Sequence, residues 1–175
     1  MEALRTYFEI HGAMFSRAPT ARFSRMKCSR SFTSSLFLKD AGTTENVMMA
    51  AVLARGKTTI HNAAREPEIR DLENFINALG GKVEGAGTDR IAIEGVRVLG
   101  GANYRPLPDR IVAGTLLAAA AATKGEVELT RVNPGDLGAV LDKLRQAGCD
   151  VEAGENTIRL VAETLKPFEV STQPF

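Results

Sequence analysis

The chain has 175 residues, a formal net charge of +1, 44% apolar and 25% charged residues, a balance that suits an ordinary globular domain with room for a real core. Arg, Asp, Lys or Glu interrupts every apolar run before it reaches membrane-spanning length, and the absence of Trp with only 6% aromatics argues against the stacking platforms of single-strand nucleic-acid binders. Cys28, Cys149, His11 and His61 are too few and too scattered for a structural zinc site or a disulfide framework, and they point to a reducing compartment, the cytoplasm by default.

The charge is unevenly placed. Residues 1–39 carry +5 and residues 40–175 carry −4, and no acid occurs between Ile10 and Lys39. Arg17, Arg22, Arg25, Lys27 and Arg30 lie there among Ser, Thr and Phe. That composition reads as a leader separate from the domain: a disordered or foreign tail first, an organelle-targeting peptide second. A nucleic-acid arm ranks last, since a handful of cations supports only weak, salt-sensitive binding.

Periodicity begins at Thr43. Thr43–Arg55 places Val47, Met48, Ala51, Val52 and Ala54 at helical spacing and stops at Gly56. Thr58–Ala64 is β-branched at its start and predicts a strand. Pro67–Leu79 sets Ile69, Leu72, Phe75, Ile76 and Leu79 on one helical face, with Pro in the first turn, acids beside it and Gly80-Gly81 at its end. Lys82–Ala86 and Arg90–Val96 predict a hairpin across Gly87-Thr88-Asp89.

The same order then returns. Pro108–Thr123 predicts an Ala-rich helix, Val127–Val132 a strand, Gly135–Ala147 a helix closed by Gly148, and Cys149–Ala153 with Thr157–Val161 a hairpin across Gly154-Glu155-Asn156. Gly56 answers Gly125, Gly80 answers Gly148 and Ile91 answers Ile158, at offsets of 69, 68 and 67. The pattern predicts an α/β (α+β) fold of two β-α-β-α-β-β repeats, over 40–98 and 99–165, with Ala102–Arg105 as the lead strand of the second. Helices of adjacent copies would pack inside and their small sheets face outward. The Ala118–Ala122 run allows close helix approach, and two copies alone leave an apolar helix face uncovered, a surface for self-association.

The string NAAREPEIRDLENFINALGGKVEGAGTDRIAIEGV (62–96), with GTTENVMMAAVLARGKTTI (42–60) before it and PDRIVAGTLLAAAAATKGEVEL (108–129) and DLGAVLDKLRQAGCDVE (136–152) after it, closely resembles the UDP-N-acetylglucosamine enolpyruvyl transferases (UDP-N-acetylglucosamine 1-carboxyvinyltransferases). The likeness runs from about Gly42 to Phe175. It implies an inside-out α/β barrel lobe built of such repeats. It also implies transfer of enolpyruvyl from phosphoenolpyruvate to the 3′-hydroxyl of UDP-N-acetylglucosamine in peptidoglycan synthesis, with no metal or organic cofactor. The chemistry implied is addition–elimination through a tetrahedral ketal, run by acid–base groups and cationic clamps. A sister shikimate-pathway enolpyruvyl transferase and a non-catalytic binding module are the alternatives, and NAAREPE and GAGTDRI point away from the first.

Carried over residue by residue, the resemblance aligns Asp40, Ala41 and Gly42 with a nucleotide-phosphate turn, where Asp stands in place of the family's Ser. Helix capping by Thr43 or Thr44 competes with that role. Arg65, Glu66 and Glu68 form a charged cluster at a strand-to-helix junction, suited to a substrate-facing wall or to a local ion pair. Asp109 reads first as a helix cap, while Arg110 is placed to face phosphoenolpyruvate or to pair with Glu66 or Glu68. His61 and Cys149 read as packed or surface residues, and Cys28 does not align with the family's catalytic Cys. That Cys, the general-base Asp and the first-lobe Arg residues have no counterpart in the matched stretch. The expectation is therefore part of one lobe, inactive alone, with 166–175 opening a crossing segment.

Overall fold

A computed structural model describes residues 33–37 and 40–171. The basic leader other than 33–37, Cys28 among it, and residues 172–175 of the expected crossing segment lie outside the described residues. The first unit runs β1 (Thr33–Phe37), α1 (Ala41–Ala51), β2 (Lys57–His61), α2 (Pro67–Ala78), β3 (Val83–Glu84) and β4 (Arg90–Glu94). The second runs α3 (Arg110–Ala122), β5 (Glu126–Thr130), a 3₁₀ turn at Pro134–Leu137, α4 (Gly138–Gln146), β6 (Asp150–Ala153) and β7 (Thr157–Val161).

In the first sheet the strand order is β1-β2-β4-β3, with β1 parallel to β2 and the other pairs antiparallel. In the second it is β5-β7-β6, all antiparallel. Helices cover one face of each sheet, so alternate strand residues enter the cores: Ile91 and Ile93 from β4, Ile158 and Leu160 from β7. Ile91 and Ile158, which the sequence offsets equate, are both fully buried, and they pair across their sheets with Ile60 and Leu129. Gly80 and Gly148 end α2 and α4 at φ of +90° and +95°, a backbone that favours glycine. Gly56 takes the same conformation, but in the second unit Lys124, not Gly125, is the left-handed residue, so that equivalence slips by one position.

Several sequence expectations are corrected. β1 lies inside the stretch assigned to the leader, where three small polar residues followed by two apolar ones (TSSLF) carry no strand alternation to stand out. α1 starts two residues early because Asp40, not Thr43 or Thr44, caps it, and it ends at Ala51 with Val52 as its C-cap. β2 spans Lys57–His61, which places His61 at a strand end rather than mid-strand, and the Gly135–Ala147 helix begins as a 3₁₀ turn on Pro134.

The largest correction concerns Ala102–Arg105, which forms no strand. The Tyr104 side chain draws this segment onto α2 instead of β5. Its hydroxyl donates to the Asp71 carboxylate at 2.7 Å, with the Asp71 carbonyl at 3.0 Å, and its ring tilts against Phe75 at 5.2 Å between centroids. Burial, then the hydrogen bond and charge of Asp71, push the Tyr104 phenol up to about 12. Pro106 and Pro108, which donate no backbone N–H, further discourage pairing.

Candidate functional site

The junctions that lead into α1, α2 and α3 gather the charged residues singled out above. The Asp40 carboxylate accepts from the Thr43 N–H and hydroxyl, both at 2.8 Å. Ala41 and Gly42 therefore lie in the first helical turn, and the site where a helix start would favour an anion is already filled by Asp40's own carboxylate. Thr44 is fully buried. Its hydroxyl donates to the Asp40 carbonyl at 2.9 Å and accepts from the Ala64 N–H at 3.3 Å. This one side chain pins the start of α1 to the segment that carries Arg65 and Glu66.

A second tie joins the two units. Arg110 opens α3 and reaches across to Glu68 in the first turn of α2, with Nε–Oε1 at 2.8 Å and Nη2–Oε2 at 3.3 Å. Of the alternatives left open by sequence, Arg110 pairs with Glu68. Planar fork-to-fork pairing fixes direction as well as charge, though with the Glu68 side chain 41% exposed it contributes no more than about 1 kcal/mol. Asp109 does what its position predicts and caps α3, accepting from the Ile111 and Val112 N–H groups at 2.9 and 3.0 Å.

Between these junctions lie two adjoining open depressions, of about 280 and 350 Å³. They share Pro67, Asp71, Leu107 and Asp136; Glu68, Asp109 and Arg110 line one, and Arg65, Arg70, Asn74 and Asn133 the other. Both signs of charge line this groove, and its carboxylates (Glu68, Asp71, Asp109 and Asp136) outnumber its guanidiniums (Arg65, Arg70 and Arg110). It is equipped to accept hydrogen bonds from hydroxyl donors and to hold a few guanidiniums in fixed directions, and it is poorly suited to neutralise a diphosphate unaided. Among the described residues, no group of three or more His, Cys, Asp or Glu could hold a metal ion.

One member was missed by the sequence reading as a site residue. Glu45, half-buried in α1, has its carboxyl raised above the usual range, first by desolvation and then by the nearby charges of Glu68, Asp40 and Glu66. The signal was its place in the first turns of a helix with the same approach to the groove as Glu68, but its neighbours are distant in sequence. An acid whose folded-state pKa is raised binds its proton more readily in the folded chain. The resulting stability is fully present below the ordinary pKa near 4.5 and is lost as pH rises through the raised value. Glu45→Gln should therefore stabilise the chain at neutral pH, by less than about 1 kcal/mol because solvent still screens a half-buried group, and should flatten the pH dependence of its urea midpoint above pH 4.5.

Comparison with known proteins gives the chain's family. The profile of the EPSP synthase (3-phosphoshikimate 1-carboxyvinyltransferase) family matches residues 30–175. UDP-N-acetylglucosamine 1-carboxyvinyltransferase of Proteus mirabilis is 55% identical over 130 residues, covering 74% of this chain and 31% of the relative. That of Coxiella burnetii is 52% identical over 134 residues, 75% and 31%. The chain thus spans about a third of the length of these relatives. Among solved structures, the enolpyruvyl transferase NikO from Streptomyces tendae superposes with a TM-score of 0.60 at 20% identity, over 73% of this chain and 32% of that one. EPSP synthase from Acinetobacter baumannii gives a TM-score of 0.53 at 25% identity, over 81% and 34%. No helix among the described residues is long and apolar enough to cross a membrane.

Proposed function

Because this chain belongs to the EPSP synthase family of carboxyvinyltransferases, we propose that it serves enolpyruvyl transfer from phosphoenolpyruvate to the 3′-hydroxyl of UDP-N-acetylglucosamine, in peptidoglycan synthesis in the cytoplasm. Identity favours this acceptor over shikimate 3-phosphate, at 52–55% to the UDP-N-acetylglucosamine enzymes against 25% to an EPSP synthase. The observation that carries the reading at the site is the Glu68–Arg110 fork, which joins the NAAREPE and PDRI strings across 42 residues at one groove.

In the proposed reaction the acceptor hydroxyl gives its proton to a base as its oxygen adds to the central carbon of the enol phosphate, whose methylene carbon takes a proton; loss of phosphate, with a proton from the new methyl group, then gives the enol ether. The groove supplies one wall of that site. Glu66, Glu68 and Asp71 are acceptors for sugar hydroxyls, Arg110 is a directed cation for the phosphoenolpyruvate carboxylate or phosphate, and Arg65 is an exposed cation at the rim. Asp40, Ala41 and Gly42 fix the start of α1 beside them. Since carboxylates exceed cations here, the remaining positive charge and the acid–base pair that the chemistry requires must come from outside this groove. The chain taken alone is accordingly assigned contact with the acceptor's sugar, the diphosphate being left to groups outside the groove, and no turnover.

Amide NMR of the 175-residue chain titrated with UDP-N-acetylglucosamine tests this. Shifts confined to residues 41–46, 65–71 and 109–112 are expected, with no phosphate release when phosphoenolpyruvate is added. A response to shikimate 3-phosphate in place of the nucleotide sugar would overturn the acceptor, and turnover by this chain would overturn the division of labour.

A further inference from the structure

The segment between the two units runs back along α2 as a strap. At one end the Gly100 N–H donates to the Leu79 carbonyl at 2.7 Å. About two helical turns nearer the start of α2, the Tyr104 hydroxyl meets Asp71. In the first turn Arg110 meets Glu68. The more extensive packings of helix and strand all fall within one unit or the other, and the two hydrophobic cores share no residue. These three ties therefore bear on how the second unit is set against the groove.

Length alone does not fix the strap. Extended, it could reach about 33 Å from Gly100 to Arg110, roughly twice the rise of α2 between Leu79 and Glu68. Among the described residues, Tyr104 makes the only hydrogen bonds of residues 101–108. Past it, Pro106 and Pro108 stiffen the run to Arg110, so a fix at Tyr104 is carried forward. The acceptor it uses also belongs to the groove: Asp71 lines both depressions, as Leu107 does. Tyr104 lies 2.7 Å from the Asp71 Oδ1, while Oδ2 takes no hydrogen bond among the described residues. Packing on Phe75 alone would need a ring but no hydroxyl. We propose that Tyr104 is a positioning residue of the groove. Its hydroxyl pins the strap midway along α2, sets Leu107 into the groove and Arg110 on Glu68, and occupies one Asp71 oxygen, so that the other alone meets a hydroxyl of the acceptor sugar.

The last clause rests on the acceptor reading above; the rest does not. Tyr104→Phe keeps the ring on Phe75 and removes only the hydroxyl. In NMR of the full 175-residue chain, the Arg110 Nε–H should exchange with solvent at least about fivefold faster in this variant, the factor that one net hydrogen bond carries. Amides of β4 and β7 should keep their protection. Asp71→Asn retains an oxygen for Tyr104 but turns the free oxygen into a donor. It should leave the Arg110 Nε–H as protected as before and weaken the response to UDP-N-acetylglucosamine by about fivefold or more. An Arg110 Nε–H equally protected in Tyr104→Phe would overturn the positioning role. So would protection lost only together with that of β4 and β7, which marks general loosening. An undiminished sugar response in Asp71→Asn would overturn the single-oxygen clause. Because the Arg110 signal needs no ligand, it decides the role of Tyr104 even where the nucleotide sugar fails to bind.

Discussion

Leu117→Ala should destabilise the chain by about 2 to 5 kcal/mol, whereas Leu116→Ala, one residue earlier in the same helix, should change the stability of the monomer by no more than about 0.5 kcal/mol. Leu117 is fully buried in the core built by α3, α4 and the second sheet, with Leu141, Ile158 and Leu160. Truncating it removes dispersion contacts and leaves a void that strand residues on a hydrogen-bonded sheet cannot collapse to fill. Leu116 points the other way and is 48% exposed. Urea midpoints would show the contrast. Equal costs for the two substitutions would mean that α3 is rotated about its axis.

The contrast also shows what the sequence could and could not disclose. Helical spacing in Pro67–Leu79 and in 108–123 was legible because each helix buries a stripe against a sheet, and burial dictates residue type every third or fourth position. Gly80 and Gly148 were legible because a left-handed helix end selects glycine. The Ala102–Arg105 error has a different origin. Repeat logic assigns a strand wherever the other copy has one, but Tyr104 found a carboxylate and a ring on α2 that no local pattern reveals. At the groove, Asp109 announced itself as a cap by its position before an apolar run. The Glu68–Arg110 pair was open among alternatives, because choosing a partner 42 residues away depends on how two units pack. Glu45 was missed for the same reason: its environment is made by Glu66 and Glu68, which come from the next helix.

Gly95→Ala should cost about 3 to 5 kcal/mol, among the larger effects a single surface-proximal substitution can have. Gly95 follows β4 and crosses the end of α1 so closely that a Cβ there would overlap the Ala54 carbonyl and press on that of Ala51. Both obstacles are main chain, so no side-chain rotation relieves them. The close approach is held on both sides, by the Gly95 N–H donating to Gly56 at 2.9 Å and the Val96 N–H donating to Val52 at 2.8 Å. Gly101→Ala is the control: a Cβ there meets nothing within 4 Å, so the outcome should lie between no change and about 1 kcal/mol of stabilisation through a less flexible unfolded chain. The consequence reaches the groove, because the helix that Gly95 clamps at one end presents Asp40 and Glu45 at the other. If Gly95→Ala displaces α1, Glu45 moves away from Glu66 and Glu68, and its carboxyl should titrate closer to the ordinary value while the nucleotide-sugar response of residues 41–46 fades before that of 109–112. A variant that loses stability but keeps both signals would show that the site is anchored by Thr44 alone, and not by the clamp at the far end of the helix.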